Sequence, residues 1–362
     1  LRIALLSYST KPRGGVVHTL ALAEALAALG EDVTVWTLGR GGDQSFFRPV
    51  DPAVGLRVVP FPDGPDGESV GKRILRSIGT LREAFSPRAA EYDIVHAQDC
   101  VSANAAGRCV RTVHHLDHFT TPELAACHER AIVEPYAHIC VSAAVAAELG
   151  AGWGIEAEVI PNGVAYERFA AAADDTAGRD RWHDRLGRYV LTVGGIEPRK
   201  GSIDLLEAYG LLRPRHPHRR LVIAGGETLF DYRDYRTRWD ERAAGLGIEP
   251  VVLGAVPDDD LPSLVAAADA FAFPSVKEGF GLAAMEALAA NVPLVARDLP
   301  VLREVFGPAA RFAETPAAFA TELDHALSAE DPARRSAGRR LAARHTWTAA
   351  ASRHLDFYGS LR

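Results

Sequence analysis

Cysteine is scarce in this chain of 362 residues, and the four present, Cys100, Cys109, Cys127 and Cys140, lie 9, 18 and 13 positions apart. That spacing fits neither paired C-x-x-C zinc ligands nor the framework of a small disulfide-bonded domain, so reduced, mostly buried thiols are expected. Long apolar runs are missing as well. Stretches such as Leu282 to Ala290 end well short of the roughly 18 residues of a membrane span, and Leu1 to Leu6 is too short for a signal-peptide core. A cytoplasmic protein is the expectation. No basic excess exists: 40 Lys plus Arg face 47 Asp plus Glu, the net charge is −7, and neither half of the chain is basic. A nucleic-acid partner is therefore not expected. The dinucleotide fingerprint G-x-G-x-x-G followed by an acidic residue after the second strand is absent too. Gly14-Gly15 and then Gly39-Arg40-Gly41 stand in those places, which disfavours NAD.

What the chain has is 48% hydrophobic residues with 24% charged, enough to bury sizeable cores in two domains or one large one. Short apolar runs alternate with longer amphipathic ones. Arg2 to Ser7 reads as a buried strand, Gly14 to Leu29 as a helix closed by Gly30, and Asp32 to Thr37 as the next strand. Further strands are expected at Leu56 to Pro60, Asp93 to Ala97, Cys109 to Val113 and His138 to Val141. The order breaks down through the polar stretch Arg168 to Arg188. A second series then begins: Tyr189 to Val193, Arg220 to Ala224, Pro250 to Leu253, Ala270 to Phe273 and Pro293 to Ala296, with helical sequence from Pro316 onward. The expected fold class is α/β, two doubly wound Rossmann-like parallel-sheet domains, residues 1–163 and 164–345. The two series share a type of period but no residue-level repeat. Open α/β sheets take ligands at the carboxyl ends of their strands, so two such domains facing a cleft suit a two-part substrate.

The densest chemistry lies in Pro274 to Glu286, between a strand and a helix. Gly279 and Gly281 let backbone N–H groups approach a ligand, and the helix that follows aims its positive end at an anion. A phosphate suits that place. Glu278 and Glu286 are too far apart for one acid/base pair, and fit instead as hydroxyl acceptors at separate ends of a long ligand. Elsewhere, Arg199 and Lys200 follow a strand whose carboxyl end would offer their charge to a leaving diphosphate, or they form an ordinary surface pair. His114 and His118 have the i, i+4 spacing of a metal pair, with Asp117 nearby. His115, Asp117 and His118 alternatively decorate a surface loop. Gly14 and Gly15 open a helix, either as a plain tight turn or as a ligand loop.

The segment with its E-x7-E spacing resembles the signature of the GT-B retaining glycosyltransferases of family 4 (glycosyl transferases group 1), and several further motifs follow in order along nearly the whole chain. These are Gly14-Gly15, Val95 to Asp99, Thr112 to His114, Val141 to Leu149, Val159 to Val164, Val193 to Gly201, Gly254 to Ser275 and His345 to Trp347. The resemblance implies a C-terminal helix, 346–362, that crosses back onto the first, acceptor-side domain, and a second domain that binds the donor. It implies that Glu278 holds donor-sugar hydroxyls, that Glu286 holds the nucleotide ribose, and that the backbone of Gly279, Phe280, Gly281 and Leu282 meets sugar and diphosphate. Gly14 and Gly15 become the loop that closes on donor phosphates or acceptor, and His114 approaches the reacting sugar. The family usually has an Arg directly after the glycine of its VG; this chain has Gly195, and Arg199 beside Lys200 is the compensating cation. At the interdomain linker Ala165 replaces the usual Asp.

The activity implied is transfer of a sugar from a nucleotide-sugar donor, UDP- or GDP-linked, to an acceptor hydroxyl, with retention, no cofactor and no metal. The alternatives are a catalytically silent nucleotide-sugar-binding protein and a phosphorylase or epimerase on the same fold. One segment, Lys72 to Arg88, is a basic amphipathic helix whose Ile74, Leu75, Ile78, Leu81 and Phe85 share a face. It would lie on an anionic membrane or, as expected, bury that face on the first sheet and leave the basic side in water.

Overall fold

The computed structural model describes residues 1–225 and 232–362, which divide into two compact units: Leu1–Gly163 with Trp347–Arg362, and Val164–Thr346. Each is built on one parallel sheet.

The first unit has seven strands: β1 (Arg2–Leu6), β2 (Asp32–Arg40), β3 (Gly55–Phe61), β4 (Ile94–Ala97), β5 (Val110–Val113), β6 (Ala137–Cys140) and β7 (Glu158–Val159), in the order β3-β2-β1-β4-β5-β6-β7. The near-continuous apolar runs follow from burial on both faces. Alternate residues supply the two cores. Ile3, Leu5, Val33, Val35, Ile94 and Val110 pack with Val16, Leu20 and Ala23 of the helix Gly14–Ala28 and with Ala351 and Tyr358 of the C-terminal helix Trp347–Ser360. Ala4, Leu6, Trp36 and Leu38 pack on the opposite face with Ile78, Leu81 and Phe85 of the helix Val70–Phe85. The crossing-back helix is pinned by polar contacts as well: His96 Nδ1 lies 2.6 Å from the Tyr358 hydroxyl, and its Nε2 lies 2.7 Å from Thr112 Oγ1.

The helix expected at Lys72 to Arg88 spans Val70–Phe85, started by the Ser69 hydroxyl accepting from Lys72 N. Its apolar stripe lies on the sheet, with Ile78, Leu81 and Phe85 buried and Ile74 half-buried. Leu75 departs from the expected shared face and is 49% exposed, because the i, i+4, i+7, i+11 stripe through Ile74 already fills the contact and Leu75 falls one position to its side. On the basic side Arg76 bonds Glu68 (2.7 Å), and Arg88, just past the helix, bonds Glu91 (2.9 Å).

The second unit has six strands, β8 (Arg188–Val193), β9 (Arg219–Ala224), β10 (Val251–Gly254), β11 (Ala270–Phe273), β12 (Leu294–Arg297) and β13 (Ala310–Ala313), in the order β10-β9-β8-β11-β12-β13. The stretch 168–188, where the alternation of strands and helices breaks off in the sequence, is helical. Two helices, Tyr166–Asp174 and Thr176–Leu186, run through it, anchored by buried Phe169, Trp182 and Leu186, and Asp175 caps the second by accepting from Gly178 N at 3.0 Å. Three large apolar anchors in so polar a segment are too few to reveal a helical period. All four cysteines are free, three of them buried and Cys100 half-buried. Among the described residues no helix is long and apolar enough to cross a membrane.

Candidate active site

The second sheet reverses its strand order between β8 and β11. Loops leaving the carboxyl ends of two such neighbours part to opposite sides and open the crevice where doubly wound sheets take ligands. Residues 194–201 leave β8 there and residues 274–281 leave β11, so the topology brings Arg199, Lys200, Glu278 and the glycines to one place. The two loops are joined backbone to backbone, Val276 N donating to Arg199 O at 2.9 Å. Gly201 has φ +62°, and a Cβ on it would sit 2.2 Å from the Pro274 carbonyl oxygen, so only glycine permits this approach.

Lys200 Nζ donates to Glu278 Oε1 at 2.6 Å, and Arg199 Nη1 lies 3.4 Å from the same oxygen while its Nη2 reaches Glu197 Oε1 at 3.3 Å. The Glu278 side chain is only 10% exposed. Burial alone would raise its pKa, but Lys200 and then Arg199 outweigh that and hold it at about 2. Glu278 is thus an oriented acceptor that is ionised at neutral pH. Lys200 spends one of its three N–H donors on it, and its ammonium stands 5.5 Å from the Phe273 ring centre.

Gly281, at φ +99°, starts the helix Leu282–Ala289 without any side-chain cap, leaving its first N–H groups for an anion. Phe280 is buried and its ring lies against His345, so only its backbone can serve a ligand. Leu282 and Glu286 are half-buried on that helix. The Glu286 carboxyl makes no hydrogen bond or ion pair among the described residues. Burial pushes its pKa to about 8, with Arg168 opposing and Asp258 reinforcing the shift. Arg168 is itself engaged with Asp258 at 2.8 Å. The two glutamates of the E-x7-E pair therefore differ at neutral pH: Glu278 is charged and Glu286 is largely neutral.

Two positioning residues escaped the sequence reading. Arg297 ends β12, is buried, and donates from Nε and Nη2 to the Pro274 carbonyl at 3.1 and 2.8 Å, fixing the start of the Glu278 loop. Its sequence signal is only an Arg closing an apolar strand. Glu197 orients Arg199; its signal is its place beside Pro198-Arg199-Lys200.

The remaining candidates, Gly14, Gly15 and His114, belong to the first unit. A Cβ on Gly15 would lie 3.9 Å from the His114 ring. His114 follows β5 and packs edge-on against His18 at 4.8 Å between ring centres, while His18 Nδ1 bonds Asn162 Oδ1 at 2.9 Å. Burial first, and then the nearby Arg111 and His115, push the His114 pKa well below the ordinary value, so it is neutral. Its Nε2 is sealed from solvent without a protein partner. His115 pairs instead with Asp117 at 2.9 Å, and His118 is exposed. Among the described residues no three His, Cys, Asp or Glu side chains are grouped to hold a metal ion.

Comparison with known proteins agrees with this architecture. Residues 12–168 match the profile of Glycosyltransferase Family 4, and residues 181–342 match that of Glycosyl transferases group 1. The chain is 31% identical over 346 residues to a D-inositol 3-phosphate glycosyltransferase of Salinispora arenicola, covering 82% of this chain and 76% of that protein. It is 27% identical over 399 residues to a phosphatidyl-myo-inositol mannosyltransferase of Mycobacterium leprae, covering 99% and 96%. Among solved structures, Anabaena HepE in complex with UDP-glucose superposes with a TM-score of 0.79 at 20% identity, over 99% of both chains. The chain belongs to the group 1, family 4 glycosyltransferases and has their GT-B fold.

Proposed function

We propose that this glycosyltransferase takes a hexose from a UDP- or GDP-sugar and transfers it, with retention and without a metal ion, to an acceptor hydroxyl. The observation that carries the reading is the convergence at the β8/β11 reversal of the Lys200–Glu278 pair, the uncapped helix start at Gly281 and the unpartnered Glu286. Ionised Glu278 accepts from the sugar hydroxyls, and Glu286 accepts from the ribose. The free N–H groups of the helix and the remaining donors of Lys200 receive the diphosphate as it gains charge, the moment at which preorganised donors contribute most. In the retaining step the bond from the anomeric carbon to phosphate breaks and the acceptor oxygen bonds the same face. The acceptor proton passes to the departing phosphate oxygen. The D-inositol 3-phosphate glycosyltransferase and phosphatidyl-myo-inositol mannosyltransferase relatives support a sugar-transfer chemistry.

The test is a thermal-shift and turnover series with UDP, GDP and their sugars, with and without EDTA. Stabilisation by a nucleoside diphosphate that survives chelation is expected, together with slow release of that diphosphate from its sugar and an anomer-retained product. Loss of both binding and turnover in EDTA would overturn metal independence. Binding without release of diphosphate under any acceptor would leave a silent binding protein.

A further inference from the structure

The helix Trp347–Ser360 meets the first sheet through a layer of histidines. His18 on the helix Gly14–Ala28, His96 on β4 and His354 on the helix Trp347–Ser360 are 1%, 0% and 1% exposed. Between ring centres His18 lies 4.8 Å from His114, 5.3 Å from Trp347 and 6.2 Å from His354, and His354 lies 5.8 Å from His96. Buried imidazoles so close together are tolerated only while they are neutral.

Their hydrogen bonds fix where each would take up a proton. His354 Nδ1 donates to the Ala350 carbonyl oxygen at 2.7 Å, and His18 Nδ1 to Asn162 Oδ1 at 2.9 Å. Both partners only accept, so Nδ1 carries the hydrogen in each ring and Nε2 keeps a bare lone pair. Both Nε2 atoms are sealed without a partner. His96 differs, with Nδ1 engaged by the Tyr358 hydroxyl and Nε2 by Thr112 Oγ1.

The surroundings offer an imidazolium no counter-charge. The titratable or charged groups that act on these rings are His114 and His354 for His18, then His354, His18 and Arg111 for His96, and Arg353 for His354; no carboxylate is among them. Burial first, and then these cations, hold His18 and His96 well below the usual histidine range. Burial holds His354 at about 4, with Arg353 reinforcing and the Ala350 bond opposing. Glu158 and Asp93 meet the rim instead, paired with Arg353 at 3.5 Å and Arg362 at 3.6 Å, and Asp356 is exposed.

The helix is also the weaker of the two on this face of the sheet. Its buried residues are Ala350, Ala351, His354 and Tyr358, whereas the helix Gly14–Ala28 buries Val16, Leu20, Leu22 and Leu26. Less apolar area removed from water means a lower free energy of local opening. Once released, each imidazole protonates near 6.5, so every pH unit below that favours release by up to about tenfold per ring, and by up to about a hundredfold for two.

We propose that this layer is an acid-sensitive latch: protons taken up by His18 and His354 release the helix Trp347–Ser360 from the first sheet, and neutral pH restores it. Release uncovers His18, the ring on which His114 packs, and so withdraws the support behind that site residue. The latch requires neither donor nor acceptor and stands apart from the proposed sugar transfer.

The experiment follows backbone hydrogen exchange of the full chain at pH 7.5, 6 and 5, corrected for the intrinsic effect of pH on exchange, in the parent, His354→Phe and His18→Gln. In the parent, protection within 347–360 is expected to fall by about a hundredfold or more between pH 7.5 and pH 5 while β1 and β2 keep theirs, and to return at pH 7.5. In each variant, with one proton-accepting ring fewer, the fall is expected to be about tenfold smaller or less. Helix protection that does not change with pH, loss from 347–360 and from β1 and β2 in one step, or an undiminished fall in the variants overturns the latch. Should one variant fail to fold, the other decides; should both fail, the order of loss in the parent decides.

Discussion

The crevices at the two sheet reversals are built on the same topology and charged in opposite ways. After β8 and β11, Lys200 and Arg199 are tied to Glu278 and Glu197, so the charges of that cluster cancel within it. After β1 and β4, Arg13 and Arg40 face one carboxylate, Asp99, that neither of them pairs with, and the cluster has a positive surplus. A self-paired site is preorganised for a reaction in which charge appears only in the transition state, because its donors are oriented without attracting any passing anion. The same α/β frame thus carries one self-paired charge cluster and one with a positive surplus.

Breaking the paired crevice should have the largest effect. Lys200→Met removes the strongest partner of Glu278 and the proposed donor to the diphosphate, and turnover is expected to fall by about 10²–10³-fold, the usual loss for one preorganised donor. Unpairing a carboxylate that is 10% exposed should also lower the unfolding midpoint in urea. If Lys200→Met kept full activity, the neutral cluster would be structural only.

Acid should loosen the same cluster. Glu278 is held at about 2, below its ordinary 4.5, so its stabilisation is fully present above pH 4.5 and is lost as pH falls toward 2. The full shift corresponds to about 3 kcal/mol. Urea titrations of the chain and of Glu278→Gln at pH 6 and pH 3 should show a stability gap that narrows on acidification. A gap independent of pH would mean that the pairing contributes nothing beyond packing.

Glu286 sharpens the contrast within the crevice of the second sheet. Its carboxyl, pushed to about 8 by burial, is largely neutral at pH 6.5 and becomes a full charge-assisted acceptor as pH rises through 8. Nucleoside diphosphate affinity relative to Glu286→Gln should therefore increase by up to about tenfold per unit over that window and level off above it. At pH 8 the variant is expected to lose about 1–3 kcal/mol of binding. Calorimetry across pH decides, and parallel profiles for the two proteins would remove Glu286 from the ribose.

Most of the frame could be read from the chain because buried parallel strands write themselves as short apolar runs, and eleven of the thirteen were visible in that form. The two that were missed, β7 with two residues and β13 with four, are edge strands too short to show a period. Lys200 and Glu278 were legible as motif members, whereas their contact came only from the strand reversal that joins residues 78 apart. Arg297 was hidden because it holds the Glu278 loop through the Pro274 backbone carbonyl, which no sequence pattern advertises, and its ion pair with Asp204 spans 93 residues. Arg40 drew notice in the sequence only as the middle of Gly39-Arg40-Gly41; its partners Tyr8, Phe61 and Ser77 come from three other segments.

The smallest expected effect, that of Leu75→Ser, concerns the helix Val70–Phe85. The helix Val70–Phe85 carries Arg73 and Ser77 toward Arg40, and whether it can do so depends on the sheet holding it rather than a membrane. Ile78 is 5% exposed against Trp36 and Leu38, so Ile78→Ser should cost about 2–4 kcal/mol through lost burial and an unsatisfied hydroxyl. Leu75, 49% exposed one position off the stripe, predicts a change within about 0.5 kcal/mol for Leu75→Ser. Phosphatidic acid vesicles separate the two roles of the helix. A helix held by the sheet alone leaves Leu75→Ser sedimenting like the parent chain. A helix that enters the bilayer loses sedimentation when Leu75, the most exposed apolar side chain on it, becomes polar. Equal sedimentation with equal stability is the result expected of a helix that packs on the sheet and is not an anchor.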